Sequence, residues 1–373
     1  MANRPQRLDS KVLTISDLKA QADKKLPRTI SEYFNHGAGD MITLNENEVA
    51  FDRYKMRPRI LQNVDSIDTS TTIFGVKLQT AFPLGFAPCA AHKLAHADGE
   101  SSVSRAAAKS GTSMCLSSWA TTALEEVAQN GGNNPYIIQV SLLKDKAVAQ
   151  RIIKRAEAAG YKAIFLTVDL PVLGNRLNEA RNNFSYPPEL EFPNLKPGPQ
   201  DEAVPAVENG SDYDRTIEWA TVVPWLRQQS RMEIWLKGVY TAEDVLLAIR
   251  HELDGVVISN HGGRQLDGVP STLDALRECA PAAAGKIGIA IDGGIRRGSD
   301  IFKALALDAQ HCFVGRIPIW GLVYKGEAGV DLAVKILMQE FRATMALTGC
   351  KSVSEINRSH LSLLGSDGIL AKL

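Results

Sequence analysis

The feature that most constrains this chain is a repeat of shape, not of letters. Eight short apolar runs, rich in β-branched residues, recur along it: FPLGFAP (82–88), SMCLSS (113–118), YIIQVS (136–141), AIFLTV (163–168), EIWLKG (233–238), GVVISN (255–260), IGIAID (287–292) and HCFVGR (311–316). Continuous apolar runs without alternation predict parallel strands covered on both faces. Helical patterns lie between them, such as AVAQRIIKRAEAAG (147–160), TAEDVLLAIRHELDG (241–255) and GSDIFKALALD (298–308). These show 3.6-residue apolar periodicity and glycine stops, with Thr241 and Ser299 as N-terminal caps. Eight strand–helix units predict an α/β fold, a (β/α)8 TIM barrel spanning residues 1–373 as one domain. An open doubly wound sheet is the rival, and eight regular units favour closure.

Two segments depart from the bare barrel. Residues 1–75 precede the first strand and hold two helical patterns, 16–25 and 27–36, expected to pack across one end. Residues 170–231 form a long loop after strand four, and its proline-rich, acidic middle marks a lid. In such barrels the active site lies at the C-terminal ends of the strands, so polar residues there are the functional candidates. Those ends supply Pro88, Cys89 and Ala90; Ser117; Gln139 and Ser141; Thr167 and Asp169. The later strands supply Lys237; Ser259, His261 and Arg264; Asp292, Gly293, Gly294 and Arg296; Gly315 and Arg316.

Glycines and arginines after the last two strands suit a phosphate, because bare backbone N–H groups can face an anion there. Turn glycines with a surface arginine are the plainer alternative. Neither GxGxxG after a strand nor GxxxxGK[ST] occurs, so the phosphate belongs to neither a Rossmann dinucleotide nor a P-loop nucleotide. His261 suits proton abstraction near neutral pH, Arg264 can grip a carboxylate with two bonds, and Asp169 can hold the imidazole in one tautomer. A histidine that merely closes a turn is the alternative. Arg176 is either a second carboxylate clamp or a solvated loop arginine. His92 and His96 lack a third ligand at metal spacing and are assigned to a helix start, so no metal site is expected.

Charge and cysteine usage exclude other classes. Forty-two Lys+Arg balance forty-two Asp+Glu, which argues against nucleic acid as a partner. No apolar run reaches the roughly 18 residues of a membrane span, and the N-terminus lacks an apolar secretion core. Five dispersed cysteines fit reduced intracellular thiols. The expectation is a soluble intracellular enzyme.

The motifs SNHGGRQLDG, IDGGIRRGSDIFKALAL, LSSWATTALEEVA, LTVDLPVLGNR and LKGVYTAEDV resemble the FMN-dependent L-2-hydroxy acid oxidases and dehydrogenases, from about Leu26 to Leu361. The resemblance implies FMN at the barrel mouth, with its phosphate on Gly294, Gly315 and Arg316. It implies that Pro88, Ala90, Ser117, Gln139 and Thr167 flank the flavin ring, with Cys89, Ser259, Asp292, Gly293 and Arg296 also at the cofactor. Lys237 matches a lysine beside flavin N1. Tyr33, Arg176 and Arg264 match substrate carboxylate contacts, His261 the catalytic base and Asp169 its orienting carboxylate. The implied reaction passes hydride from an α-carbon to flavin, with O2 as acceptor, and the implied assembly is a homotetramer or larger.

One position departs from that pattern. Ser141 stands where the family usually has tyrosine, which opens space and removes a donor beside the substrate. A bulkier hydroxy acid, or a cyclic amino or imino acid as in the flavin oxidase of fungal fusaric acid biosynthesis, becomes an alternative substrate. A non-catalytic phosphate-binding barrel is a third, weaker reading. The final Ala371-Lys372-Leu373 resembles a peroxisomal address after an expected flexible tail, with the cytoplasm as the alternative.

Overall fold

The computed structural model describes residues 7–73, 76–77, 82–196 and 213–373. The eight apolar runs form eight parallel strands, here β1 (Leu84–Phe86), β2 (Ser113–Ser117), β3 (Tyr136–Val140), β4 (Ala163–Thr167), β5 (Glu233–Val239), β6 (Gly255–Ile258), β7 (Gly288–Asp292) and β8 (His311–Val314). They pair in chain order, and β8 closes onto β1 through Cys312–Leu84, Phe313–Gly85 and Val314–Phe86. The barrel is closed, and the open-sheet rival is excluded.

Each strand alternates between two apolar environments, which is why its sequence looks continuous. Ala163 and Phe165 of β4 point into the barrel with Cys115, Ile137, Trp235 and Phe313. Ile164 and Leu166 point outward into the cluster beneath the helices. This is the period of two along any strand, with both faces buried. The widest interior ring, Trp235, is admitted by Gly255 opposite it on β6, where a Cβ atom would lie 2.2 Å from the indole.

The same parity carries into the site. Two residues beyond Cys115, Ile137, Phe165, Trp235, Val257 and Ala290 come Ser117, Gln139, Thr167, Lys237, Ser259 and Asp292. The barrel interior thus changes from apolar to polar within one strand period at its C-terminal end. No extra device is needed to aim these side chains inward.

The flanking segments correct three expectations. The N-terminal segment does not cover one end alone. Helix Arg28–Asn35 brings Tyr33 to the cavity at the C-terminal end of the barrel. Farther on, Thr71 and Thr72 lie at the opposite end beside Ile287 and Gln310, which precede β7 and β8, and Ile73 joins the interior core. A third helix, Ile42–Arg53, was not expected, because ITLNENEVAFDR has a polar run in place of a clear apolar stripe. The C-terminal tail is not a loose strand: Leu361–Leu364 and Leu370–Lys372 pair with each other antiparallel, and the first also pairs with Tyr54–Met56. Thr241 caps helix Ala242–Arg250 as expected. Ser299 caps nothing: Asp300 instead accepts from the backbone N–H groups of Arg296 and Arg297, each at 2.9 Å, at the start of helix Gly298–Ala306. His92 and His96 precede helix Gly99–Ser110, with His92 in a separate 3-10 turn.

The long loop starts with the short helix Leu177–Arg181 and returns through Tyr213 to helix Trp219–Gln229. Part of the expected lid, residues 197–212, lies outside the described residues. No helix among the described residues is long and apolar enough to cross a membrane.

Candidate active site

The polar strand ends line a cavity of about 790 Å³ at the mouth of the barrel, a size suited to a cofactor and small substrate. Most of the expected site residues line it, from Tyr33 and the Pro88-Cys89-Ala90 turn round to Gly315 and Arg316. Asp169 and Ser259 do not. Ser259 is expected at the cofactor, but it is 1 % exposed and its hydroxyl is already used, accepting from Lys237 Nζ at 2.9 Å and from the His261 backbone N–H at 3.1 Å. Asp169 stands behind His261.

Beyond β6 the backbone turns sharply, with His261, Gly262 and Gly263 at φ 58°, 64° and 73°. This turn aims the imidazole into the cavity, and Nδ1 meets Asp169 Oδ1 at 3.0 Å. Burial lowers the His261 pKa; the Asp169 charge opposes this and the Lys237 and Arg176 charges reinforce it, so the ring is neutral at neutral pH. Burial alone would raise the Asp169 pKa, but His261 and Lys237 outweigh it and keep the carboxyl ionised. With Nδ1–H donated to that carboxylate, Nε2 is left as a free base.

Gln265 ties the two loops together. Its amide donates to the carbonyls of Asp169 and Val172, each at 2.9 Å, and accepts from the Gly174 N–H at 3.1 Å.

Across the cavity floor runs a short polar chain. Gln139 donates to Thr167 Oγ1 at 2.8 Å and to Ser141 Oγ at 3.0 Å, and accepts from the Ser117 hydroxyl. Lys237 Nζ lies 3.1 Å from Asp292 Oδ2. Burial would lower the Lys237 pKa, but the Asp292 and Asp169 charges outweigh it and hold the ammonium. Asp292 Oδ1 is buried without a hydrogen-bond partner among the described residues. Burial pushes the Cys89 thiol up to about 11, so it is no nucleophile.

Four arginines converge here. Arg316 donates to the carbonyls of Phe34, Gly262 and His36 and pairs with no carboxylate among the described residues. Its pKa is pushed down to about 9 by burial and then by Arg264 and Arg296. A guanidinium remains charged regardless, so this strain expresses unmet demand for an anion. Arg296 pairs with Glu48 at 2.7 Å and lies over the Trp320 ring. Arg264 sits 5.1 Å over the Tyr33 ring, donates to the Tyr33 and His36 carbonyls, and reaches Glu179 at 3.1 Å. Arg176 is half a clamp: its Nη1 lies 3.7 Å from the same Glu179, and it is 16 % exposed, so it is not a solvated loop arginine.

Sequence reasoning missed several participants. Asn47, on the unexpected helix, exchanges two hydrogen bonds with Asn260 at 2.8 and 2.9 Å and holds the loop after β6. Gly294 packs so closely on it that a Cβ would lie 1.9 Å from the Asn47 carbonyl oxygen. Glu179, Phe184, Tyr186, Phe192 and Tyr213 line the cavity from the long loop. Tyr186 shares a 2.9 Å hydrogen bond with Tyr33, whose ring stacks on Phe184. The aromatic spacing FSYPPELEF was the available signal.

The residues fit FMN. An unpaired buried guanidinium, the glycines Gly294 and Gly315 and the start of helix Arg316–Thr348 suit a phosphate. The buried Lys237 ammonium suits a flavin edge that becomes anionic. The comparisons agree: residues 22–363 match the family model described as FMN-dependent dehydrogenase. The chain is 48 % identical over 367 residues to "Oxidase FUB9" of Fusarium oxysporum f. sp. lycopersici, covering 96 % of this chain and 93 % of that protein. It is 45 % identical over 356 residues to "Glycolate oxidase 1" of Zea mays, covering 94 % and 95 %. Mandelate oxidase solved with (S)-4-hydroxymandelic acid superposes with a TM-score of 0.87 at 34 % identity, covering 94 % of this chain and 99 % of that one.

Proposed function

The chain belongs to the FMN-dependent dehydrogenase family, and from that premise we propose that it oxidises the α-carbon of an L-2-hydroxy acid, with O2 as final acceptor, to give a 2-oxo acid and H2O2. The observation that carries the proposal is one cavity lined by a neutral, carboxylate-oriented His261 together with Arg264 and Arg176. Bound FMN supplies a two-electron acceptor that O2 can reoxidise.

The protein's own residues do the rest. Arg264 keeps Nε and one Nη2 hydrogen uncommitted among the described residues, enough for a two-bond grip on a carboxylate. Arg176 adds charge on the same side, and Tyr33 supplies a hydroxyl beside it. His261 Nε2 takes the hydroxyl proton as two electrons and the α-hydrogen leave the substrate, and Asp169 stabilises the resulting imidazolium. Lys237 holds a fixed positive charge below, and Gly294, Gly315 and Arg316 would hold the phosphate.

A second reading rests on Ser141. Its small side chain leaves room for a ring, so a cyclic amino or imino acid would meet the same arginines and lose two electrons from a C–N bond. Anaerobic titration of the purified yellow protein with glycolate, L-lactate, (S)-mandelate and L-pipecolate separates the two. Bleaching of the flavin by the hydroxy acids supports the first reading; bleaching by L-pipecolate alone supports the second. No bleaching by any of them would overturn both.

Peroxisomal residence is part of the proposal, supported by H2O2 formation and by the exposed side chains of Ala371 and Lys372. Assembly into a homotetramer or larger rests on the family resemblance.

A further inference from the structure

Tyr213 is the first described residue on the returning limb of the long loop, and its backbone is pinned at the mouth of β3. It forms an antiparallel bridge with Leu143, and the next residue, Asp214, donates its N–H to the Leu142 carbonyl at 2.9 Å. Its partner in the bridge is two residues beyond Ser141, and both Tyr213 and Ser141 line the cavity. The Tyr213 side chain is 8 % exposed. Its phenol makes no hydrogen bond among the described residues; burial, opposed by the Arg176 charge and reinforced by Tyr186, sets its acidity.

The Tyr213 hydroxyl oxygen is not among the buried polar atoms that lack a partner, so it opens into the cavity, where something that enters can complete it. The neighbours indicate what that is. Burial holds the phenol protonated up to about 12, so it keeps its O–H to donate in the working range. The charge that reaches it belongs to Arg176, which also faces the cavity. Ser141 Oγ, on the same wall, accepts from Gln139.

Resting on the carboxylate-oxidase reading above, we propose that Tyr213 is a substrate-contacting, specificity-determining residue whose hydroxyl donates to a carboxylate oxygen of the bound substrate on the Arg176 side. The loop thereby contributes from both of its ends: Arg176 from the outgoing limb and Tyr213 from the returning limb. A substrate with an α-carboxylate gives the donor a charged acceptor; a neutral amide gives it only a weaker carbonyl oxygen.

Tyr213→Phe removes the hydroxyl and keeps the buried ring, which protects the fold. The assay uses the holoenzyme and whichever of glycolate, L-lactate, (S)-mandelate and L-pipecolate reduces wild-type flavin fastest. Its corresponding amide is a second probe, and benzoylformate is titrated by its perturbation of the flavin absorbance. Tyr213→Phe should raise KM for the acid and Kd for benzoylformate about tenfold, the share of one hydrogen bond to a charged group. The amide's KM should rise by less, because its carbonyl oxygen is an uncharged acceptor. Adding Ser141→Tyr to Tyr213→Phe should recover part of the loss from the adjacent position. Equal KM and Kd in wild type and Tyr213→Phe would overturn the inference and leave the oxidase reading standing. Equal losses for acid and amide would overturn it too, since they would mean a structural role only. A wild type reduced by none of the probes would instead count against the oxidase reading itself.

Discussion

Replacing Asp169 by Asn tests how the site stores its driving force for proton removal. The carboxylate lies 3.0 Å from His261 Nδ1, and both groups are largely buried. Opposite unit charges at that distance attract by about 5.5 kcal/mol at an effective dielectric of ~20, which sets the ceiling on what Asp169 contributes to the imidazolium. A charge-assisted hydrogen bond measured by deletion is worth about 1.5–3 kcal/mol, which sets the floor. The rate of flavin reduction should therefore fall between roughly 10-fold and 10⁴-fold. The pH dependence separates this from misfolding. The base form of His261 is present above its pKa, which burial places below the 6.5 of a free imidazole, so activity falls as pH drops through that lower value. Asp169 is the main group raising that pKa. Its removal should shift the acid limb to still lower pH even as the plateau rate collapses. Rapid-mixing anaerobic reduction across pH 4.5–8, with FMN content and Tm as controls, measures both. A plateau within threefold of wild type, or an acid limb displaced upward, would refute the reasoning.

Other perturbations follow from the same geometry. Arg264→Lys should raise substrate KM and lower kcat, because an ammonium cannot keep the Tyr33 and His36 carbonyls and Glu179 while also gripping a carboxylate twice; steady-state kinetics that match wild type would move the clamp to Arg176. Gly294→Ala puts a methyl 1.9 Å from the Asn47 carbonyl at a φ of +79°, so it should purify depleted of FMN and with a lower Tm; full flavin content would contradict the close approach. A fluorescent protein fused upstream should be punctate with catalase and become diffuse when Leu373 is deleted. Diffuse signal from the intact fusion would refute the peroxisomal address.

Much of the site was legible because strand parity and barrel chemistry coincide. Ser117, Gln139, Thr167, Lys237 and Asp292 each stand two residues beyond an interior apolar residue, so locating the strands located the side chains. What escaped notice depends on partners far apart in sequence. Asn47 is 213 residues from Asn260, and no local pattern in a polar helix marks that pair. Asp267 anchors the start of the same helix by accepting from Thr43 N–H at 2.8 Å, across 224 residues. Ser299 looked like a cap by type and place, but the helix already begins at Gly298, so Ser299 lies inside its first turn. The tail looked loose because LLGSDGI has turn residues, and those residues instead close a hairpin with Gly368 at φ 77°. Tyr186 and Tyr213 escaped because their roles depend on where a long loop folds back, which composition does not encode.

The most direct test of the account is anaerobic flavin reduction in His261→Gln. Glutamine fills the same space and can keep a hydrogen bond, but it accepts no proton. The account predicts a yellow protein with full FMN content and near-normal affinity for benzoylformate, whose flavin is reduced by the best acid substrate at least about 10³-fold more slowly. Reduction within tenfold of the wild-type rate would contradict the claim that His261 is the base.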